Sequence, residues 1–352
     1  MINSLKIRAD RIDAYLRSNL ANASQRIELE FAYFSANLHN LLPHVPRGDY
    51  LPLFNELQAN RMLSDLDVRQ AEAIDVTGWD DNWVDELRHN PGIVCTFHTG
   101  SYRFLSLLLA RAGVPFSLVV AGQAVSDERE AFLNRYLPVA DQLGFRPDVS
   151  FIDAGQAGVL IRMMREAKRG RCLLVYLDGN SGAGTGGVEA ANTTTVPFCG
   201  GRLRARKGMA VLAYRLAIPI YPVLCQRAFP RLGPETSHRL SYGLLHAIRP
   251  FPGESESAFS NRATTVLYHM LGQLAGRSPH EWEGWLNIHR QLLLQEAAPI
   301  GDRLAVEEWA IYRWGKRAFL LHRPSYSSYE VSMADYRCFF DRLNEDFVSI
   351  HS

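Results

Sequence analysis

The sequence predicts an α/β fold, with a mostly parallel central sheet flanked by helices, a helical N-terminal region and a small C-terminal extension. Three observations predict it. Between about residues 91 and 227, short apolar or β-branched runs alternate with amphipathic stretches of helical length, the pattern of βαβ units. Before about residue 90, apolar residues recur at spacings of three and four. Beyond about residue 295 the pattern changes to a hairpin followed by one amphipathic helix. These shifts place boundaries at 1–90, 91–295 and 296–352.

In chain order, the N-terminal region reads as helices, and the last of them ("DDNWVDELRH") stops at Asn90-Pro91-Gly92. A buried strand "GIVCTF" follows, then a helix "RFLSLLLARAG" with Gly113 near its end, then a strand "PFSLVVAG". Next come a helix "SDEREAFLNRYLPVADQLG", a strand around "VSFID", a helix "AGVLIRMMREAKRG" and a strand "RCLLVYLD". A glycine-rich loop leads to a helix "RKGMAVLAYRLAIP" and a strand "IYPVLCQR". In the extension, a turn near Pro324-Ser325 closes a hairpin, and a helix starts near Met333.

With 352 residues, 47% of them apolar, the chain is long enough to bury one large core. A net charge of +1 argues against a general nucleic-acid binder. The five cysteines are scattered, with no C-x-x-C pair, so reduced thiols are expected rather than a disulfide frame or a metal site. The N-terminus lacks the apolar core of a signal peptide. The longest apolar candidate, Phe104 to Val120, is interrupted by Arg111, Gly113 and Pro115, which argues against a transmembrane helix. A cytoplasmic protein is expected, with peripheral membrane contact left open.

In parallel sheets, functional side chains sit beyond the carboxyl ends of the strands. His98, Asp178 and Arg227 each occupy such an end. His98 is either a general base or a histidine hydrogen-bonded in the core. Ser101 reads as a cap of the following helix rather than as a nucleophile, since no G-x-S-x-G elbow surrounds it. Asp178, followed by Gly179 and Asn180, either serves the site or organises a loop. Arg202, Arg204, Arg206 and Lys207 precede a helix, so they form either an anion-binding cluster or a solvated basic loop. Gly182, Gly184 and Gly187 match G-x-G-x-x-G formally. A dinucleotide site needs a helix to start there, whereas "VEAANTTTVPF" does not start one, so a loop over a site is expected.

Four blocks in order, from about Pro91 to Arg290, resemble the bacterial lipid A late acyltransferases of the lysophospholipid acyltransferase-like superfamily. They are "GIVCTFHTGSYRFLSLLLARAGVPFSLVVAG", "AGVLIRMMREAKRGRCLLVYLDGN", "TTTVPFCGGRLRARKGMAVLAYRLAIPIYPVLCQR" and "HEWEGWLNIHRQ". The resemblance implies a glycerol-3-phosphate acyltransferase-like core. It also implies transfer of an acyl group from a thioester, on coenzyme A or a carrier protein, with no bound cofactor. The family's motif is H-x4-D/E, in which the histidine deprotonates the acceptor and the acid orients the ring. Counted from His98, the acid position holds Arg103. A guanidinium cannot accept the imidazole N–H. The resemblance therefore leaves two possibilities. Asp178 supplies the carboxylate through space while Arg103 binds an anionic group, or Arg103 marks a different reaction. The family's anion-stabilising arginine could be replaced by Arg103, Arg129 or Arg135. The expected activity is transfer of an acyl or peptidyl thioester to an amine or hydroxyl of a soluble small-molecule or peptide acceptor, in a specialised pathway, with a carrier protein as partner. Hydrolysis or cyclisation would use the same groups. The alternative is a binding subunit that has lost the chemistry.

Overall fold

The computed structural model describes residues 2–18, 23–120, 126, 129–130, 132–179, 192–227, 236–293 and 306–348. The N-terminal region folds into α1 (Ile2–Leu16), α2 (Gln25–Leu41), α3 (Tyr50–Arg69) and α4 (Asp81–His89). Side chains start two of these helices. Ser24 Oγ accepts the Ile27 N–H ahead of α2, and Asp80 accepts the Asn82 N–H ahead of α4.

The central sheet is built from β1 (Asp75–Thr77), β2 (Ile93–Thr96), β3 (Phe116–Val120), β4 (Val149–Asp153), β5 (Cys172–Tyr176), β8 (Ile220–Gln226) and β9 (Arg239–Leu244). Their order is β1-β9-β8-β2-β5-β3-β4, and every neighbouring pair runs parallel except β8 with β9. The short β1 and the strand β9 extend the sheet beyond the strands expected from the sequence. At three residues β1 is too short for a periodic signal, whereas β9 alternates exposed and buried residues over six positions and is a strand that the alternation itself marks.

Two apolar layers sandwich the sheet because successive strand residues face opposite sides. Ile93 and Cys95 of β2 join a core with Phe34 and Leu38 of α2, Phe54 of α3 and Phe259 of α9 (Glu256–Arg277). Val94 faces the other core, with Trp83 and Leu87 of α4 and the helix α5 (Phe104–Arg111). Helix α5 is buried from Phe104 to Ala110, which explains why its sequence is apolar on every face. A five-residue π turn, Phe132–Tyr136, leads into α6 (Leu137–Leu143); α7 (Val159–Lys168) and α8 (Gly208–Leu216) complete the flanking layers.

Between β5 and α8, the strands β6 (Thr193–Phe198) and β7 (Gly201–Arg206) form a separate antiparallel hairpin. The C-terminal extension corrects the expectation of a single hairpin. It holds three antiparallel strands, β10 (Trp309–Trp314), β11 (Arg317–His322) and β12 (Ser327–Val331), followed by α10 (Met333–Val348). The expected turn lies between β11 and β12, where His322 pairs with Ser327. A second tight turn joins β10 and β11 at Gly315, whose φ of 62° suits glycine. This sheet packs on α2 through Ala32, Ala36, Ala310 and Leu321, and Arg313 pairs with the buried Glu28.

Candidate active site

Strands β2 and β5 lie side by side in parallel, with Thr96 opposite Tyr176. Two residues beyond each of those positions come His98 and Asp178, so the register of the sheet brings the two side chains together. His98 Nδ1 lies 2.7 Å from Asp178 Oδ1. The backbone N–H of His98 donates to Oδ2 at 3.1 Å, and the indole Nε1–H of Trp282 donates to the same oxygen at 2.7 Å. The carboxylate thus accepts three N–H groups and is 4% exposed, whereas the imidazole is 27% exposed toward a cleft. With Nδ1–H engaged by Asp178, Nε2 is the ring nitrogen left to accept a proton.

The loop carrying His98 is held from behind by the 279–286 segment. The Gly100 N–H donates to the Glu281 carbonyl at 2.8 Å, and the Glu283 N–H donates to the His98 carbonyl at 3.0 Å. Gly100 has φ of +52°, and a Cβ there would stand 2.9 Å from the Cys225 carbonyl oxygen, so the turn requires glycine. The imidazole stacks on Tyr176 at 4.9 Å and meets the edge of Tyr102 at 4.6 Å between ring centroids.

Electrostatics follow from this packing. Burial opposes charging of His98, but the charge and hydrogen bond of Asp178, aided by Glu283, outweigh it and raise the histidine above its ordinary value; Arg103 acts in the opposite sense. For Asp178, burial also favours the neutral form, yet the His98 charge, the His98 hydrogen bonds and the Trp282 indole hold its carboxyl below the usual range. Each partner stabilises the charged form of the other.

The cleft in front of the pair has a volume of about 540 Å³. Leu118, Phe132, Val159, Met163, Val175 and Met209 give it an apolar lining, while Arg61, Arg103, Arg206, Glu283 and Asn287 bring polar groups to its walls. An apolar slot with a few convergent polar groups is the usual form of a small-molecule site.

The remaining sequence candidates lie as follows. Arg103 lines the cleft, with its guanidinium 4.6 Å from the centre of the Tyr102 ring. Ser101 is fully buried, and its Oγ makes no hydrogen bond among the described residues. It is therefore not the expected side-chain cap; its carbonyl, instead, accepts the Phe104 N–H as α5 begins. Of the basic run, Arg206 reaches the cleft. Arg202 and Arg204 lie on the exposed face of β7, because strand alternation points Leu203 and Ala205 inward, and Lys207 sits at the start of α8. Arg135 pairs with Asp65 and borders a different surface depression. Asn180 and the Gly182, Gly184 and Gly187 segment lie outside the described residues.

Arg227, the third strand-end residue, is buried beneath the site rather than lining the cleft. Its Nε donates to Asn60 at 2.6 Å, its guanidinium pairs with Asp67, and its backbone N–H donates to Glu281 Oε2 at 2.9 Å. Arg8 of α1 joins the same Asp67 at 2.6 Å. Burial pushes Glu281 up to about 7, although Arg227 and Asn60 pull it down.

Trp282, Glu283 and Arg61 were not picked out as site residues from the sequence. The "HEWEGWLNIHRQ" segment stood out only through its tryptophans, and nothing local in it signals a contact 104 positions away. Arg61 lies mid-helix in α3, where an arginine reads as solvated surface.

No family model matches the chain, and no curated protein matches it. Among solved structures it is similar to the 1-acyl-sn-glycerophosphate (LPA) acyltransferase PlsC from Thermotoga maritima. That likeness has a TM-score of 0.38 and 14% sequence identity, and covers 78% of this chain and 98% of that one. A likeness of that size says nothing about chemistry, for which the geometry around His98 is the ground.

Proposed function

We propose that this protein transfers an acyl group from a thioester to an amine or hydroxyl, with His98 as general base and Asp178 as the group that orients it. The observation that carries this reading is the 2.7 Å contact between His98 Nδ1 and a buried, triply hydrogen-bonded Asp178, at the edge of a largely apolar cleft. A base held by a buried carboxylate, with its other nitrogen toward a substrate cavity, is the arrangement nucleophile activation needs.

In the proposed reaction the acyl chain lies against the apolar lining residues, among them Leu118, Phe132 and Met163. The acceptor nitrogen or oxygen attacks the thioester carbonyl as His98 Nε2 takes its proton. The C–S bond then breaks, and the proton passes from His98 to the departing thiolate, giving an amide or ester and a free thiol. Arg103 or Arg206 stabilises the oxyanion. The thioester is carried by coenzyme A or by an acyl or peptidyl carrier protein, and a soluble acceptor in a specialised pathway fits the reading.

The test uses dodecanoyl thioesters of coenzyme A and of pantetheine-loaded carrier protein, with thiol release measured in the presence and absence of an amine and hydroxyl acceptor panel. Acceptor-dependent release by the wild type, reduced by at least two orders of magnitude in His98→Ala, supports the reading. Equal release by the mutant removes His98 from the mechanism. Release that ignores the acceptors makes the protein a thioester hydrolase.

A further inference from the structure

We infer that the acceptor is a zwitterion: an amino acid or related amine with a carboxylate close to the reacting nitrogen. This rests on the acyl-transfer reading and names the substrate for it.

The charges flanking His98 are of opposite sign, and both face the cleft. On one side is Arg103, whose guanidinium lies over the Tyr102 ring that itself touches the imidazole edge. The Arg103 carbonyl accepts the Tyr136 hydroxyl at 2.7 Å, which fixes the backbone from which the guanidinium extends. On the other side is Glu283, whose N–H is bonded to the His98 carbonyl and whose carboxylate lies 3.6 Å from Arg61. Arg206 adds a second guanidinium to the cleft wall. A zwitterionic amino acid matches this pattern, with its nitrogen on the Glu283 side and its carboxylate against Arg103, a pairing arginine makes in two-point geometry. The ammonium gives one proton to solvent before it enters, and the neutral amine gives its second to His98 Nε2 on attack.

Arg103 works against protonation of His98, which is what the base must undergo during attack. The bond formed is N–C, the bond broken is C–S, and the products are an N-acyl amino acid and a thiol.

The experiment has two arms. In the first, kcat/KM with the dodecanoyl thioester is compared for glycine, alanine and leucine against methylamine, ethylamine and isoamylamine. An advantage of on the order of 10- to 100-fold for the amino acids is expected, shrinking to a few-fold in Arg103→Met and retained in part in Arg103→Lys. In the second, calorimetry compares binding of N-dodecanoylglycine with that of N-methyldodecanamide, which needs no turnover. The acid is expected to bind at least tenfold more tightly to the wild type, and Arg103→Met to lose that preference. Equal binding of acid and amide, or equal turnover of amino acids and simple amines, overturns the inference and leaves acyl transfer standing. Preferential binding of the acid with no turnover of any acceptor rejects acyl transfer but keeps the carboxylate site. Should Arg103→Met not fold, the wild-type acid-to-amide ratio still decides.

Discussion

Replacing Asp178 by asparagine tests the pairing at the centre of the site with almost no change in shape. Three donors converge on the two oxygens: His98 Nδ1–H on Oδ1, the Trp282 indole on Oδ2, and the His98 backbone N–H between them. An amide has one oxygen and one NH2 group, so it cannot satisfy both sides. If its oxygen faces His98, the NH2 confronts the buried indole N–H, at a cost of about 1–3 kcal/mol for an unmet donor. If its oxygen faces Trp282, the NH2 donates to His98 Nδ1 and the ring proton moves to Nε2. The second arrangement satisfies every group, and it leaves the ring unable to accept a proton from the acceptor. A fall in kcat of on the order of 10²- to 10⁴-fold is therefore expected, as for other buried acids that fix a histidine tautomer, with melting temperature nearly unchanged. The pH profile of the residual activity gives a second readout. In the wild type His98 must be neutral to act, and its raised pKa places the acid limb of kcat/KM above the ordinary histidine value of about 6.5, with activity lost as pH falls through it. Asp178→Asn removes the largest raising influences and leaves burial and Arg103 opposed by Glu283 alone, so the limb moves to lower pH. A variant within fivefold of wild type, with an unmoved acid limb, refutes the pairing as the source of activity.

Two further substitutions address the support behind the site. A Cβ added at Gly284 would stand 2.2 Å from the Trp282 ring, so Gly284→Ala displaces the indole from Asp178. The overlap costs about 1–3 kcal/mol of stability, and activity is expected to fall at least tenfold; a thermal melt beside the thioester assay measures both, and full activity counts against a positioning role for Trp282. Glu281 has a folded-state pKa raised to about 7, so the stability it confers is present below its unfolded value and is lost as pH rises toward 7. Glu281→Gln should abolish that loss, about 3 kcal/mol in full. Melting temperatures of the two proteins from pH 4.5 to 8 should therefore diverge, and parallel curves would show that Glu281 does not titrate in the fold.

The alternation of strands and helices from Gly92 to Gln226 is readable in the sequence because each buried parallel strand is a short apolar run and each flanking helix repeats every three to four residues. For the same reason His98 and Asp178 stand out, since a polar residue directly after such a run marks a strand's carboxyl end. Their mutual contact is a matter of strand order, which local pattern does not encode. Ser101 was misread as a cap because preference for helix starts says nothing of where a hydroxyl points once a tight turn precedes the helix. Trp282 and Glu283 escaped because they act from an irregular segment far along the chain. Arg202, Arg204 and Arg206 share one face of β7, so the run is a row of cations; of the three it is Arg206, at the strand's end, that lines the cleft, and where a strand ends relative to a cleft is not written in local pattern.

The orienting acid hangs from a sheet strand and not from the helix that follows the histidine. Helix α5 is thereby relieved of supplying a carboxylate to the imidazole, and the turn before it supports the ring by packing alone, through Tyr102. Position 103 becomes a place where the wall facing the substrate can be rewritten, to neutral, acidic or larger side chains, while the 2.7 Å contact between His98 and Asp178 stays under the control of strand register. For an engineer seeking new acceptors, base and selector are separately adjustable parts.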